Sequence, residues 1–517
     1  MKFLFLFLVL LCVSYVAGQL NVHAKYYSSS VSDMISLQDL KHSLISELEL
    51  YATELKGKLQ SVKKGISHLE TQIRRLEDNI LGQEYNQINY FSSLRRLHSD
   101  WPKWLQFMRQ NVAKETQDRV QEMRHKLPIE DDYYGALNSI YVLLDVYLIT
   151  PQDFAKGLLN GKQYNSSLDA LDCYAVAQFA LRNEYYKEAL EWFYLSWNYQ
   201  QNLKESQHKY FLLMGLDPVR FSKLYSRNLL KENKKVEAWK VLKEALLLPH
   251  HDIILFRKLR EIERNFYVHS KPETSVTREY WTDHRECCRG EYKPPKGLSC
   301  YYEYGADPFL RIAPFKVELL NRSPYVAAYY DVLNDSEIEE LKLMSSPQIR
   351  RSLLYNHTLD IDQADVDRTS NSVFMEETGI TLLETISQRA ADMTDLYVTA
   401  ISSEDLQVIN YGLGGQYTPH CDYFDENAEN GDRLATVLFY LTDVQQGGAT
   451  VFPFLRLSYF PKKGSALIFR NLDNAMSGDK DSTHSACPVL FGNKWVATKW
   501  IYHFDQMTRW PCLSIKK

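Results

Sequence analysis

From Leu55 the apolar residues recur at Leu59, Val62, Ile66, Leu69, Ile73, Leu76 and Ile80, in unbroken alternating steps of four and three. That spacing averages 3.5 residues and draws a heptad seam along one side of a helix. Leu37, Leu44 and Leu48 extend it less strictly upstream, with Lys, Glu and Arg filling the outer positions. The pattern predicts a long helix that zips against a second copy of itself. A helical bundle within one chain satisfies the same spacing.

Between about residues 130 and 248 the pattern changes to paired amphipathic helices rich in Tyr. Around Ala189, the residues Cys173, Val176, Ala177 and Ala180 fall on one helix and Phe193 and Ser196 on the next. A second copy centres on Ala238, with Tyr225, Ser226 and Leu229 before it, Leu242 and Ala245 after it, and Pro249 as its stop. The copies lie 49 residues apart, about 15 beyond the usual 34-residue tetratricopeptide period. Stacked helix pairs of this kind build a concave groove. Here Tyr133, Tyr134, Tyr141, Tyr185, Tyr186, Tyr194 and Tyr225 would supply aromatic faces suited to a polyproline II peptide. Taken one at a time, each Tyr also reads as a helix-packing residue.

After a Pro- and Cys-bearing linker (Pro294, Pro295, Gly297) the period shortens. Tyr325 to Tyr330 reads as a strand, a helix follows from about Ser336, and Leu406 to Tyr411 reads as another strand. The next extended piece carries Thr418, Pro419, His420, Cys421 and Asp422. On a strand, residues two apart share a face, so His420 and Asp422 can offer an imidazole and a carboxylate to one metal. His484 supplies a second imidazole, completing a 2-His-1-carboxylate set with open positions, the pattern of a non-haem Fe(II) oxygenase. Ten residues on, Lys494 sits in an alternating apolar segment and is a candidate cation for an acidic cosubstrate. Antiparallel strands with a metal at one mouth imply a double-stranded β-helix, or jelly roll.

A net charge of −5 gives no electrostatic footprint for nucleic acid. Residues 1–18 read as a secretory signal peptide cut after Gly18, and no later stretch reaches the roughly 20 apolar residues of a membrane span. Without Cys12, seven cysteines remain, an odd count that leaves at least one free thiol. Sequons at Asn165, Asn321, Asn334 and Asn356 fit glycosylation in the secretory pathway, with Pro324 crowding the one at Asn321.

Three blocks carry a family resemblance: QVINYGLGGQYTPHCD from Gln407, ATVLFYLTDVQQGGATVFP from Ala435 and HSACPVLFGNKWVATKW from His484. In order, and in the ten-residue step from His484 to Lys494, the chain resembles the catalytic subunits of animal collagen prolyl 4-hydroxylases. The resemblance implies an α+β multidomain chain. Its parts would be a coiled-coil dimerisation region at 19–128, a peptide-binding tetratricopeptide-like domain at 129–250, a linker at 251–305 and a dioxygenase domain at 306–517. It implies Fe(II), 2-oxoglutarate, O2 and L-ascorbate, with Lys494, Tyr411 and Thr450 on the cosubstrate. Arg433 would line the substrate side. Lys494, where related lysyl hydroxylases usually carry Arg, favours the prolyl branch.

The same resemblance suggests the disulfides Cys288–Cys300 and Cys487–Cys512. It implies protein disulphide isomerase as partner in an α2β2 tetramer, procollagen or another Pro-rich peptide as substrate, and the endoplasmic reticulum lumen as location. The chain ends without a Lys-Asp-Glu-Leu-type signal, so retention would depend on that partner. One position departs from the pattern: Tyr502 stands where the collagen enzymes usually have His, and His503 is displaced by one. A one-residue shift on a strand reverses the face. Loss of turnover through Tyr502 would leave a second reading, a lumenal scaffold that binds Pro-rich chains.

Overall fold

The computed structural model describes residues 31–81, 92–201, 203–245, 257–260, 262, 280–292, 297–305, 308–356, 361–363, 367–424 and 431–510. The leader, Pro249, Pro294, Pro295 and Cys512 lie outside these residues, as do the side chains of Ile80 and Asn356. Contacts divide the chain into two units that meet in sequence at Glu130 and Asp131. No helix among the described residues is long and apolar enough to cross a membrane.

The first unit is organised on α1 (Val31–Leu81), a helix of 51 residues. Two short helices, α2 (Trp101–Arg109) and α3 (Lys114–Glu122), belong to the same unit. A Cβ on Gly65 would lie 2.1 Å from the Trp104 ring, so a glycine is what admits the indole against the α1 backbone. Arg119 grips Glu47 with Nε 3.0 Å from both carboxylate oxygens. The expected single seam is therefore split. Val62, Leu69 and Leu76 are half-buried, whereas Leu55, Leu59, Ile66 and Ile73 remain about half exposed, at 47, 53, 49 and 55%. The short helices cover only one flank of the stripe.

In the second unit, α4 (Glu130–Tyr147) leads into two helical hairpins. The first is α5 (Ala170–Arg182) with α6 (Tyr186–Gln201). A helix α7 (Glu205–Leu213) fills the insertion before the second, α8 (Pro218–Lys231) with α9 (Lys235–Ala245). The Asp169 carboxylate caps α5 by accepting from the N–H groups of Leu171 and Asp172. Ala177, Ala180, Ala189, Phe193, Ala238 and Leu242 are fully buried between the helices. The four alanines let the helix axes approach, Phe193 and Leu242 fill the space between them, and one continuous core results.

The C-terminal part is antiparallel sheet. The strands of its two larger sheets, in chain order, are β1 (Cys300–Glu303), β2 (Phe315–Asn321), β3 (Val326–Tyr330), β4 (Arg350–Arg351), β5 (Asn371–Met375) and β6 (Leu406–Tyr411). Then follow β7 (Tyr417–His420), β8 (Arg433–Tyr440), β9 (Thr450–Phe452), β10 (Leu457–Tyr459), β11 (Ala466–Arg470), β12 (His484–Ala486) and β13 (Lys494–Tyr502). Nine strands form a large sheet in the order β1-β2-β3-β11-β8-β13-β6-β5-β4, and four form a small one in the order β7-β12-β9-β10.

Strand alternation explains the layering. On β13, Trp495, Ala497 and Ile501 enter a core shared with the helices α11 (Asp335–Ser345) and α12 (Thr381–Thr394), which also bury Ile338, Leu341, Leu383 and Ile386 there. Lys494, Val496, Thr498 and Trp500 face the other way, into the space between the two sheets. A further helix, α10 (Tyr280–Arg289), precedes the sheets.

The cysteines do not pair as the resemblance suggested. Cys288 on α10 is bonded to Cys487, 199 residues away, with a Cα–Cα distance of 5.6 Å. Cys300 is a free, exposed thiol. It opens β1 at the outer edge of the large sheet, held there by pairing with Glu318, while α10 buries Cys288 against the segment that follows β12. Cys173 and Cys287 are free and buried, and Cys421 is free and half-buried.

Candidate active site

The loop after β6 turns through Gly414 and delivers β7, which ends at His420; Asp422 lies two residues past the strand rather than on it. Register aligns His420 with His484 at the start of β12. The Nε2 atoms of His420 and His484 each lie 3.7 Å from a carboxylate oxygen of Asp422, and one donor atom from each of the three residues fits within 4.8 Å of the others.

The orientation of all three is set by their hydrogen bonds. His420 Nδ1 bonds the Thr418 carbonyl at 2.8 Å and His484 Nδ1 the Ser482 carbonyl at 3.1 Å. A ring that gives its Nδ1–H to a carbonyl keeps Nε2 as a lone pair. Asp422 Oδ2 accepts from Thr436 Oγ1 at 2.7 Å and from Trp500 Nε1 at 2.9 Å, leaving Oδ1 toward the cavity. Tyr417 stacks on the His420 ring with centroids 3.5 Å apart. Burial, then the neighbouring His484 charge, holds His420 well below its ordinary value. Burial alone would raise Asp422, but His484, His420, Arg433 and the Trp500 N–H hold it low. A neutral imidazole and an ionised carboxylate are the forms a divalent metal takes. Two nitrogens and one oxygen on one side of a partly enclosed cavity fit a non-haem Fe(II) site.

Lys494 lies deeper in the same cavity. The cavity has a volume of about 40 Å³. Its ammonium is 1% exposed and forms no ion pair among the described residues; its polar neighbour is Thr450 Oγ1 at 3.3 Å. The rings of Tyr411 and Tyr440 stand 5.4 and 5.9 Å from Nζ. Tyr411 is the register partner of Lys494 on β6, and the Tyr440 hydroxyl donates to Thr450 at 2.8 Å. Burial lowers Lys494 to about 7 and raises Tyr411 to about 12. Lys494, Tyr411, Thr450 and the three metal-type ligands therefore line one cavity.

Arg433 and Tyr502 do not line the cavity, although Arg433 Nη1 donates to the Asp422 carbonyl at 3.3 Å. Arg433 forks onto Glu404 at 2.5 and 2.9 Å and lies 4.0 Å above the Trp500 ring. Tyr502 is its register partner, half-buried at the end of β13. Burial, then the Glu404 charge, raises the Tyr502 hydroxyl to about 12. His503 takes the opposite course: its Nδ1 accepts from the Asp432 N–H at 2.8 Å, tying it to a loop away from the cavity. Asn165 and Asn334 are exposed, the latter capping α11, and Asn321 is half-buried with its amide on the Pro324 carbonyl.

Sequence reasoning missed Tyr417, Thr436, Tyr440 and Trp500. Trp500 was within reach, since it is six residues from Lys494 on the same strand and so shares its face. Thr436 and Leu438 alternate into the cavity in the same way, with Tyr440 next on that face behind Thr450, but only once β8 is paired with β13.

Residues 30–161 match a family described as the prolyl 4-hydroxylase alpha-subunit N-terminal region, and residues 406–502 match the 2OG-Fe(II) oxygenase superfamily. The site thus lies in a segment of oxygenase type. Over 95% of this chain and 96% of the relative, it is 30% identical to prolyl 4-hydroxylase subunit alpha-2 of Gallus gallus. It is 28% identical to subunit alpha-1 of Mus musculus over 98% of each chain. Among solved structures, a viral collagen prolyl hydroxylase from Paramecium Bursaria Chlorella virus-1 matches 34% of this chain and 94% of that one, at 24% identity and a TM-score of 0.29. The chain belongs to the family of prolyl 4-hydroxylase alpha subunits.

Proposed function

We propose that this chain is the catalytic subunit of a procollagen-type prolyl 4-hydroxylase, oxidising 2-oxoglutarate to succinate and carbon dioxide as it hydroxylates carbon 4 of proline. The observation that carries the reading is one cavity holding both a His420–Asp422–His484 ligand set and a buried Lys494 ammonium with no ion pair among the described residues. Iron held by those three residues would supply the redox chemistry with O2, and L-ascorbate is the reductant that family membership implies. The protein's share is binding, orientation and exclusion of water. Lys494, with the hydroxyls of Thr450 and Tyr411, would take the far carboxylate of 2-oxoglutarate by a charge-assisted bond that also removes the cost of the unpaired lysine. Trp500 and Thr436 hold the Asp422 carboxylate still. Arg433 and Tyr502, at the rim with Glu404, would face the peptide.

The finer architecture belongs to the same proposal. Two facing antiparallel sheets with the site between them support the double-stranded β-helix. The two hairpins, with alanines at the helix crossings, support a tetratricopeptide-like groove for extended Pro-rich chains. The exposed row Leu59, Ile66 and Ile73, at steps of seven, supports self-association through α1. A protein disulphide isomerase partner, an α2β2 tetramer and residence in the endoplasmic reticulum lumen complete the reading.

The test is release of succinate from 2-oxoglutarate by the assembled protein with Fe(II) and a Pro-Pro-Gly repeat peptide, alongside His420→Ala, Asp422→Ala and His484→Ala. Iron-dependent release with hydroxyproline formation, abolished in each variant, is expected. Peptide binding without release would instead make the chain a scaffold for Pro-rich ligands.

A further inference from the structure

The C-terminal turn of α4 packs against the strands that frame the cosubstrate end of the cavity. Tyr147, the last residue of α4, is 8% exposed and does not line the cavity. Its hydroxyl donates to the Pro488 carbonyl at 2.5 Å. The same carbonyl accepts the Gly448 N–H at 3.0 Å, and the Cys487 N–H donates to the Ala449 carbonyl at 2.8 Å. These bonds continue the pairing of β9 with β12, in which Thr450 opposes Ala486 and Val451 opposes Ser485. Tyr147 therefore closes the end of a two-strand ladder whose strands carry Thr450 and His484.

The surroundings make that end stiff. Leu143, Val146 and Tyr147 of α4, Cys287 and Cys288 of α10, and Ala449, Val451 and Cys487 share one buried apolar cluster. Gly447 turns with φ +75°, and a Cβ there would stand 2.5 Å from both the Tyr147 hydroxyl and the Pro488 carbonyl. On β9, Val451 faces this cluster while its neighbour Thr450 faces Lys494. Any shift of the turn at Gly447–Gly448 is thus passed directly to the Thr450 hydroxyl.

We propose that Tyr147 is a positioning residue for the cosubstrate: acting through Pro488 and the Gly447–Gly448 turn, it sets the Thr450 hydroxyl against Lys494. The inference rests on the reading of Lys494 and Thr450 as the 2-oxoglutarate clamp. It also gives the helical layer a role in catalysis beyond holding peptide.

The variant is Tyr147→Phe in the assembled, full-length protein, which removes the hydroxyl and keeps the ring. Two readouts are taken, the KM for 2-oxoglutarate and its Kd by calorimetry on Mn(II)-loaded protein. Both should rise about three- to tenfold, with kcat at saturation within about twofold and the peptide KM unchanged. Leu143→Ala, which loosens the same apolar cluster without touching the hydrogen bond, should lower thermal stability and leave the Kd unchanged. An unchanged Kd in Tyr147→Phe, or an equal rise in Leu143→Ala, overturns the proposal. Lys494→Ala is measured alongside: if it too leaves the Kd unchanged, the clamp reading has failed, whereas a rise there with none in Tyr147→Phe sinks this inference alone.

Discussion

Lys494 and Lys499 lie five residues apart on β13, both buried, at 1 and 2% exposure, and their odd separation sends them to opposite faces of the large sheet. On the helix-covered face, Lys499 has two oxygen partners from the protein. Its ammonium reaches Glu377 Oε1 and the Glu404 carbonyl, each at 2.5 Å. Glu377 in turn accepts from the Leu406 N–H and the Ser387 hydroxyl. On the cavity face, Lys494 has Thr450 and two aromatic rings but no carboxylate among the described residues. A buried charge is tolerated when it is paired and costly when it is not. The paired lysine is therefore a structural tie, and the proposed clamp would make the other a receptor whose counter-ion comes from outside the chain.

The sharpest way to break that contrast is to remove the tie. Lys499→Met leaves the Glu377 carboxylate buried beside a lost cation and should cost about 3–5 kcal/mol of stability in the catalytic unit. Denaturant unfolding followed by tryptophan fluorescence would measure it, and a loss under about 1 kcal/mol would mean the pair is not structural. Lys494→Ala should act on ligand instead. The KM for 2-oxoglutarate should rise about 100-fold, equivalent to about 2.7 kcal/mol, while the folded state persists. Turnover with an unchanged KM would remove Lys494 from the clamp.

What the chain revealed in advance follows the same division between local and distant effects. That His420, Asp422, His484 and Lys494 share one cavity was legible from the two-residue step between the first pair and the ten-residue step between the second, each inside a motif block. So were the buried positions of the helical hairpins, since Ala189 and Ala238 mark crossings by size alone. The Cys288–Cys487 bond was not readable, because 199 residues of chain must fold before those thiols meet. The heptad misled in part for a related reason: spacing shows that a stripe is apolar, and only the packing of Trp104 and Arg119 shows which flank is already covered. Tyr147 gave no signal, as its partner is a backbone carbonyl 341 positions away.

The pH dependence of stability sharpens the contrast by a smaller amount. Burial lowers Lys494 to about 7 in the folded state, against about 10.4 in the unfolded chain. Between those values the unfolded state binds more protons, so folded stability rises with pH there. The penalty is fully present below about pH 7 and gone above about 10.4. Lys494→Met should therefore stabilise the ligand-free protein by on the order of 2 kcal/mol at pH 7.5, with a gain that shrinks toward pH 10. Unfolding of both proteins across that range would check it, and a gain that grows with pH would contradict the burial argument. Succinate or 2-oxoglutarate, by supplying the missing charge, should remove the difference.

The smallest expected effect is at Tyr502, at the far end of the same strand. Its ring lies beside the Glu404–Arg433 pair, and the nearby His503 is held on the Asp432 backbone, so no imidazole reaches that position. A phenol pushed up to about 12 stays neutral at every physiological pH, whereas a histidine there would titrate near the ordinary value of about 6.5 and gain a charge beside Glu404. Tyr502→His should change the peptide KM, or the ratio of hydroxyproline formed to succinate released, by less than about tenfold, or about 1.4 kcal/mol. Metal affinity should not move, because Tyr502 contacts none of the three ligands. The two products are measured together over pH 6 to 8, where an added imidazole would introduce a pH-dependent ratio that the native tyrosine lacks. A flat, unchanged ratio with an unchanged peptide KM would make Tyr502 a packing residue at the rim and leave Arg433 to meet the substrate without it.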